Sequence, residues 1–297
     1  MKIRNIILPL FLFYSCRAQQ PAALPANSDN NSLLWEISGN GLQKPSYLFG
    51  TFHLMCREDI NFSASLKLAF TKAEETYFEM DLDDPSNTLG ALLFMNMKNG
   101  KTLKDLYTDA EYDRLQNYFK DSLGTPLTML NRMKPNFLEA LLYPKMMPCK
   151  NMSGVEEELM KMAKAQKKEI KGFETIAFQS AIFDSIPYEK QAKDLLKTID
   201  SVKEYKKSFD TMLLVYKTQQ LSEIEGMFNK TEFGLDDNRD VLLDNRNKNW
   251  VEQLKKILPH KSIFMAVGAG HLVGEKGVIE LLKKEGYTLR PLLNKDK

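Results

Sequence analysis

Several familiar signatures are missing from this chain, and each absence closes off a class of chemistry. There is no HExxH pair for a helical zinc site, no GxSxG nucleophile elbow, no Walker phosphate loop and no CxxC couple. The string GAGHLVGEKG near the end is rich in glycine but lacks the G-x-G-x-x-G spacing of a dinucleotide loop, which argues against a Rossmann oxidoreductase. Charge of one sign is missing too: 41 basic and 39 acidic side chains leave a net +2, so there is no electrostatic reason to expect nucleic acid. No apolar run reaches the roughly 20 residues that a membrane-spanning helix needs. Histidine and cysteine are scarce, three of each in 297 residues, so the position of each one carries information.

What is present begins with an exported-protein layout. Lys2 and Arg4 precede the apolar run Ile6 to Tyr14, the arrangement of a secretory signal peptide over residues 1–18 with small-x-small cleavage after Ala18. A second route is a loose lipoprotein box that leaves a lipid, and so a membrane attachment, on Cys16. Either route predicts a periplasmic or extracellular protein. Residues 19–32, rich in Pro, Asn and Ala, read as a flexible tether. Cys56 and Cys149 remain in the mature chain, and in an oxidising compartment they are a candidate disulfide.

The rest, residues 33–297, has 43% hydrophobic content over the whole chain, enough for one substantial core. Leu34 to Ile37 and Ser46 to Gly50 read as a β-hairpin, Asn61 to Lys72 as a helix and Glu75 to Asp81 as a strand, a βαβ order that favours parallel pairing. Thr108 with Glu111 marks a capped helix to Asp121, and Phe137 to Tyr143 a short one. Val155 to Gln166 reads as a helix, Glu169 to Phe173 as a third core strand, and Lys190 to Glu225 as one or two amphipathic helices. SIFMAV, Ser262 to Val267, is continuously apolar, as a central parallel strand should be. A helix from Gly277 to Glu285 and a strand from Tyr287 to Pro291 close the chain. The expected class is α/β: a mixed, mainly parallel central sheet formed from N- and C-terminal segments, with helical insertions at about 87–165 and 188–258.

Two of the three histidines share a context. Gly50-Thr51-Phe52-His53 follows the strand YLF, and Gly268-Ala269-Gly270-His271 follows IFMAV, both beyond the carboxyl end of a strand, where open α/β sheets bind ligands. Gly50, Gly268 and Gly270 allow a tight turn and close backbone approach by a ligand, or an anion cradle. The bland alternative is a histidine that bonds a carbonyl to close its turn. Glu79, between Phe78 and Met80, is costly to bury unless paired, Asp81 shares its face by strand periodicity, and Glu174 ends the next strand. Two imidazoles with one or two carboxylates suit Zn²⁺, Mn²⁺ or Co²⁺ with a position left for water; without metal the same groups form an acid–base pair. Arg246 is suited to orient a carboxylate bidentately. His260, after Pro259, reads as exposed.

The segments LWEISGNGLQKPSYLFGTFHL, EETYFEMDLDD, SGVEEELMKMAKAQKKEIKGFETIAFQ, DNRNKNW and VGAGHLVGEKGVIELLKKEGY resemble the marks of the TraB/GumN family, grouped also with PrgY and the animal TIKI proteases. The resemblance runs from about Leu33 to Leu292 and departs mildly at Glu156, where many relatives carry aspartate. It implies a metal-dependent protease site with two GxxH motifs and a glutamate, on a fold related to erythromycin esterase-like and ChaN-like proteins. Three functions stay open: an exported metal-dependent hydrolase of the peptidase type acting on a peptide or small molecule, with Glu79, Glu174 and Arg246 in catalytic roles and His53, His271 and Glu79 on the metal; a non-catalytic peptide or small-ligand binding protein of the cell envelope; or an interaction or structural protein using the helical face of Lys190 to Glu225.

Overall fold

The computed structural model describes residues 24–27, 29–81, 83–84, 94–228 and 238–295. The leader at residues 1–18 lies outside them, as do the first residues of the tether. Two strands open the fold: β1 (Leu34–Gly39) and β2 (Ser46–Thr51) form the expected antiparallel hairpin, with Leu34 opposite Phe49 and Ile37 opposite Ser46. A short strand, β3 (Met55–Cys56), leads to helix α1 (Ala64–Lys72), whose start is set by Ser63: its hydroxyl accepts the Leu66 amide, so the helix begins three residues later than periodicity alone predicts. Then comes β4 (Glu75–Met80).

The βαβ order does hold parallel strands, but β2 and β4 are not neighbours. The late strand β7 (Ile263–Gly268) lies between them, parallel to both, and with β6 (Glu169–Glu174) and β8 (Tyr287–Pro291) the six-stranded order is β6-β4-β7-β2-β1-β8. The reason lies in β7 itself: Ile263, Phe264, Met265, Ala266 and Val267 are all buried, and a strand without a polar face is most stable at the sheet centre. β8 (Tyr287–Pro291) pairs antiparallel with β1, so the sheet is mixed and mainly parallel, with strands from both ends of the chain. β6 (Glu169–Glu174) takes the edge rather than the interior, consistent with its exposed Glu169 and half-exposed Lys171.

The described residues 24–27 of the expected tether make defined contacts. Leu24 is buried, Ala26 bridges to Leu292, and backbone bonds join Asn27 to Pro291 and Leu293 to Pro25 at 3.0 and 2.9 Å. Residues 24–27 therefore dock along the chain end beyond β8, since one leucine and the free backbone groups there find partners.

Between the sheet's halves, α2 (Asp109–Leu123) starts with the reciprocal Thr108–Glu111 capping box and stops at Gly124 with φ 67°. The expected single helix over 137–143 is two short ones, α3 (Pro135–Ala140) and α4 (Tyr143–Met146), each with a proline in its first turn. After β5 (Met152–Ser153) come α5 (Val155–Ala165), then β6, α6 (Ile176–Ser185), α7 (Tyr188–Asp200), α8 (Val202–Thr218) and α9 (Leu221–Phe228). The amphipathic run thus divides into three helices, broken at Ser201 and at Gln219, where φ is 61°. Leu115, Phe119, Leu138, Leu142 and Leu195 make a second apolar core in this insertion. Buried Lys134 braces it by pairing with Asp184 and with the Ser180 hydroxyl, both at 2.8 Å. A π-helical turn, Asp240–Asp244, runs into α10 (Asn245–Ile257), and α11 (Val278–Lys284) precedes β8. Among the described residues no helix is long and apolar enough to cross a membrane.

Cys56 and Cys149 are bonded, with Cα atoms 5.8 Å apart and 93 residues between them in sequence. A link of that span removes much freedom from the unfolded chain. Urea unfolding with and without a thiol reductant is expected to give a stability loss of about 2–4 kcal/mol on reduction, matched by Cys149→Ser.

Candidate functional site

The two GxxH turns are adjacent because their strands are. In the parallel ladder Gly50 lies opposite Val267 and Thr51 opposite Gly268, so both motifs leave the sheet at the same edge, where β4 delivers Glu79 and β6 delivers Glu174. Across that edge the order is Glu174, Glu79, the Gly268–His271 turn, then Thr51 and His53.

Arg246, on α10, ties the inner part together. Its Nε donates to Glu174 Oε1 at 2.9 Å and its Nη2 to Glu174 Oε2 at 2.7 Å, the bidentate contact the sequence suggests. Nη2 also reaches Glu79 Oε2 at 2.6 Å, Nη1 donates to His271 Nε2 at 3.2 Å, and the guanidinium lies 4.9 Å from the Trp250 ring centre. Glu174 further accepts Trp250 Nε1 at 2.8 Å and Gln179 Nε2 at 3.1 Å. It does not cap α6; the Thr175 hydroxyl does. Glu79 Oε1 accepts the Gly268 amide at 2.9 Å, so the backbone donor of that turn is taken by the protein's own carboxylate. Burial opposes ionisation of Glu79, but the positive charges of Arg246 and His53 and the Gly268 amide hold its carboxyl far below the usual range.

The histidines are not equivalent. His271 is buried against Trp250, ring centres 4.4 Å apart. Its Nδ1–H donates to Asn247 Oδ1 at 2.6 Å, and Asn247 is oriented in turn by its own amide donating to Lys276 O at 2.9 Å. That leaves the Nε2 lone pair facing Arg246 and, at 3.7 Å, Glu79 Oε1. Burial pushes this imidazole down to about 3, more than Glu79 raises it. His53 has a side chain 72% exposed, and its Nδ1–H donates at 2.7 Å to Glu156 Oε1, which also accepts the Thr51 hydroxyl at 2.5 Å. The Glu156 charge raises His53 to about 9, so it is an imidazolium near neutral pH.

These groups converge on Gly268. A methyl group placed there would lie 3.3 Å from Glu79 Oε1, 3.6 Å from His271 Cδ2 and 3.7 Å from His53 Nε2. Each imidazole engages its Nδ1 with an acceptor, the orientation that metal-binding histidines take from their outer partners, and each Nε2 becomes a ligand nitrogen once it gives up what it now holds, the Arg246 donor in His271 and a proton in His53. The donor set, two such nitrogens and a carboxylate, therefore fits a divalent ion in kind. The spacing is looser than in a closed site, since Arg246 stands against both Glu79 and His271. Among the described residues the one three-donor group within 4.8 Å is Cys56, Glu58 and Cys149, and its sulfurs are bonded to each other.

Other expected residues fall elsewhere. Gly50 is buried and hemmed by Leu272, Leu33 and Ala269 at 3.1–3.2 Å from a notional Cβ, so the missing side chain lets the second turn pack against it. Gly270 is buried within the 3₁₀ turn Ala269–His271. Asp81 lies past β4, accepts the Asp83 amide at 3.3 Å and is raised by burial and by Asp83. It lines a neighbouring cleft of about 670 Å³ with Tyr77, Lys171, Phe173, Glu174 and Gln253. His260 is exposed, as expected. Thr51, Glu156 and Asn247 had drawn no assigned role from sequence.

The inequality of the rings is measurable by ¹⁵N NMR titration of the metal-free protein: midpoints of about 9 for His53 and about 3 for His271 are expected, with Glu156→Gln bringing His53 down toward 6.5. The linked stability follows. The His53 contribution is complete below about 6.5 and is lost as pH rises through about 9, while the His271 contribution is lost as pH falls from about 6.5 toward 3.

The sequence profile of the TraB/PrgY/gumN family matches residues 33–291. Metalloprotease TIKI1 of Danio rerio is 24% identical over 92% of this chain and 65% of its own length, and metalloprotease TIKI1 of Homo sapiens is 24% identical over 89% of this chain and 63% of its own. The chain thus spans less than two thirds of either relative. No solved structure matches it. With the profile covering the whole sheet, both GxxH turns and the Arg246 segment, the chain belongs to the TraB/PrgY/gumN family.

Proposed function

We propose that this protein is an exported metal-dependent hydrolase of the peptidase type. The observation that carries the reading is the convergence of His53 Nε2, His271 and Glu79 on the open side of Gly268, each imidazole with its Nδ1 already engaged. Relatives named as metalloproteases support it. Export rests on the signal-peptide layout of residues 1–18, with a lipid on Cys16 as the anchored variant, and the Cys56–Cys149 bond suits an oxidising compartment.

In this reading His53, His271 and Glu79 hold the ion, whether Zn²⁺, Mn²⁺ or Co²⁺. A divalent ion supplies polarisation of a carbonyl and a lowered water pKa. The chain's own groups prepare for it. Asn247 keeps the His271 Nε2 unprotonated, and Trp250 shields that ring from solvent. Arg246 fixes the carboxylates of Glu79 and Glu174, and once shared with an incoming substrate its guanidinium can stabilise negative charge developing on an oxygen. Exposed His53 forms the rim where substrate enters. The cleft of about 670 Å³ beside Glu174 offers Tyr77 and Phe173 as apolar surface and Thr175 and Gln253 as polar contacts, a mixture suited to a peptide or small organic substrate.

One observation favours a second reading. Arg246 already contributes a positive charge to Glu79 and a donor to His271 Nε2, so the site is electrostatically satisfied as it stands, as a non-catalytic peptide or small-ligand binder would be.

Purified mature protein, stripped with a chelator and assayed on a fluorogenic peptide library, is expected to regain cleavage with Mn²⁺, Co²⁺ or Zn²⁺. His271→Ala and Glu79→Gln are each expected to lower kcat/KM by at least about 100-fold. Cleavage indifferent to chelation and to His53→Ala would remove the metal reading. Peptide retained without product in every metal would support the binding protein instead.

A further inference from the structure

The helix that supports His53 comes from far along the chain, and the contact is built from several independent links. Glu156 sits in the first turn of α5, which begins directly after Gly154. The neighbouring amide, Val155 N, donates to Phe52 O at 3.0 Å, and a Cβ on Gly154 would lie 2.7 Å from His53 O, so only glycine lets the helix start this close to the GxxH turn. Two residues beyond the turn, β3 pairs with β5, Met55 opposite Ser153 and Cys56 opposite Met152, and Arg57 N donates to Asn151 O at 3.0 Å. The Cys56–Cys149 bond closes the same ribbon. From the other side the Tyr216 hydroxyl donates to Gly50 O at 3.0 Å, and its ring lies 5.1 Å from Phe52.

All of this construction ends in one side-chain contact. Glu156 Oε1 accepts from both His53 Nδ1 and the Thr51 hydroxyl. Glu156 is mostly buried, with a side chain 13% exposed, while the imidazole it holds is largely in solvent. An exposed imidazole with no fixed partner would sample several rotamers and both tautomers; a buried acceptor aimed at Nδ1 removes that freedom.

We propose that Glu156 is the positioning residue of His53: with Thr51 and the disulfide-closed ribbon behind it, it fixes the ring so that Nε2 faces the Gly268 opening. It acts through His53 and needs no contact with substrate. The inference rests on the reading of His53 as a site residue, and its test separates the two.

The ¹H–¹⁵N spectrum of the metal-free protein, recorded at a pH above the titration of His53, reports which ring nitrogen carries the proton. In the wild type His53 is expected as the Nδ1–H tautomer. Glu156→Ala is expected to shift it to Nε2–H or to a mixture, while Glu156→Gln, whose amide oxygen still accepts, keeps Nδ1–H and serves as the variant whose folding is least at risk. Manganese affinity measured by calorimetry on the same proteins is expected to fall about 10- to 100-fold for Glu156→Ala and by less for Glu156→Gln. A His53 spectrum unchanged in Glu156→Ala overturns the proposal whatever the calorimetry gives. A wild type that binds no divalent ion removes the hydrolase reading, and the ring spectrum still decides the role of Glu156.

Discussion

One guanidinium holds the interior of this site. Arg246 touches Glu174 at the end of β6, Glu79 at the end of β4, the Nε2 of His271 beyond β7, and the Trp250 ring on its own helix. Two carboxylates converging in a buried setting would repel each other and suffer desolvation; a delocalised cation with a fork of donors makes the cluster stable, provided that every partner is placed to receive a donor. Lysine would supply the charge without the fork. Because the partners come from three strands, the cluster also registers the carboxyl ends of those strands against α10.

The same cluster explains why the two GxxH motifs diverge in chemistry although they coincide in sequence. His271 is supported from a single helix, by Arg246, Asn247 and Trp250, within five residues of one another on α10. Packing at that range excludes water and leaves the ring neutral. His53 leaves an adjacent strand but meets a carboxylate instead of an amide, and its other edge stays in solvent, so it is held charged. The identity of the residue on Nδ1, Asn247 in one case and Glu156 in the other, together with burial, makes the difference.

Much of this was legible in the chain, and the illegible part has a consistent cause. The SIFMAV run announced a central strand through its lack of a polar face, and the paired glycine–histidine spacing announced two turns at one sheet edge. Arg246 among apolar helix positions announced a bidentate contact. The order of strands was hidden, because β2, α1 and β4 look like a closed βαβ unit until β7 arrives nearly 200 residues later to separate them. Glu156 was hidden for a different reason. An acid in the first turn of a helix after glycine has a complete local explanation in the helix dipole, and nothing nearby in sequence points to a histidine 103 residues away. Gly50 has a packing reason that its sequence neighbours do not show: its missing side chain admits Leu272.

The two histidine supports also differ in how they are anchored, and this bears on how the site can vary. Asn247 and Trp250 sit on the helix that covers the sheet, so moving them disturbs the core, where Trp250 is fully buried. Glu156 hangs on a two-strand ribbon and a disulfide outside the six-stranded sheet, anchored by Gly154 and by a few backbone bonds. Changes in the helical insertion can therefore alter the exposed rim around His53 while the buried Arg246 cluster stays as it is. A division of that kind, a rigid inner half built from the sheet and an outer half borrowed from the insertion, allows one arrangement of acids and imidazoles to face different substrates without rebuilding its core.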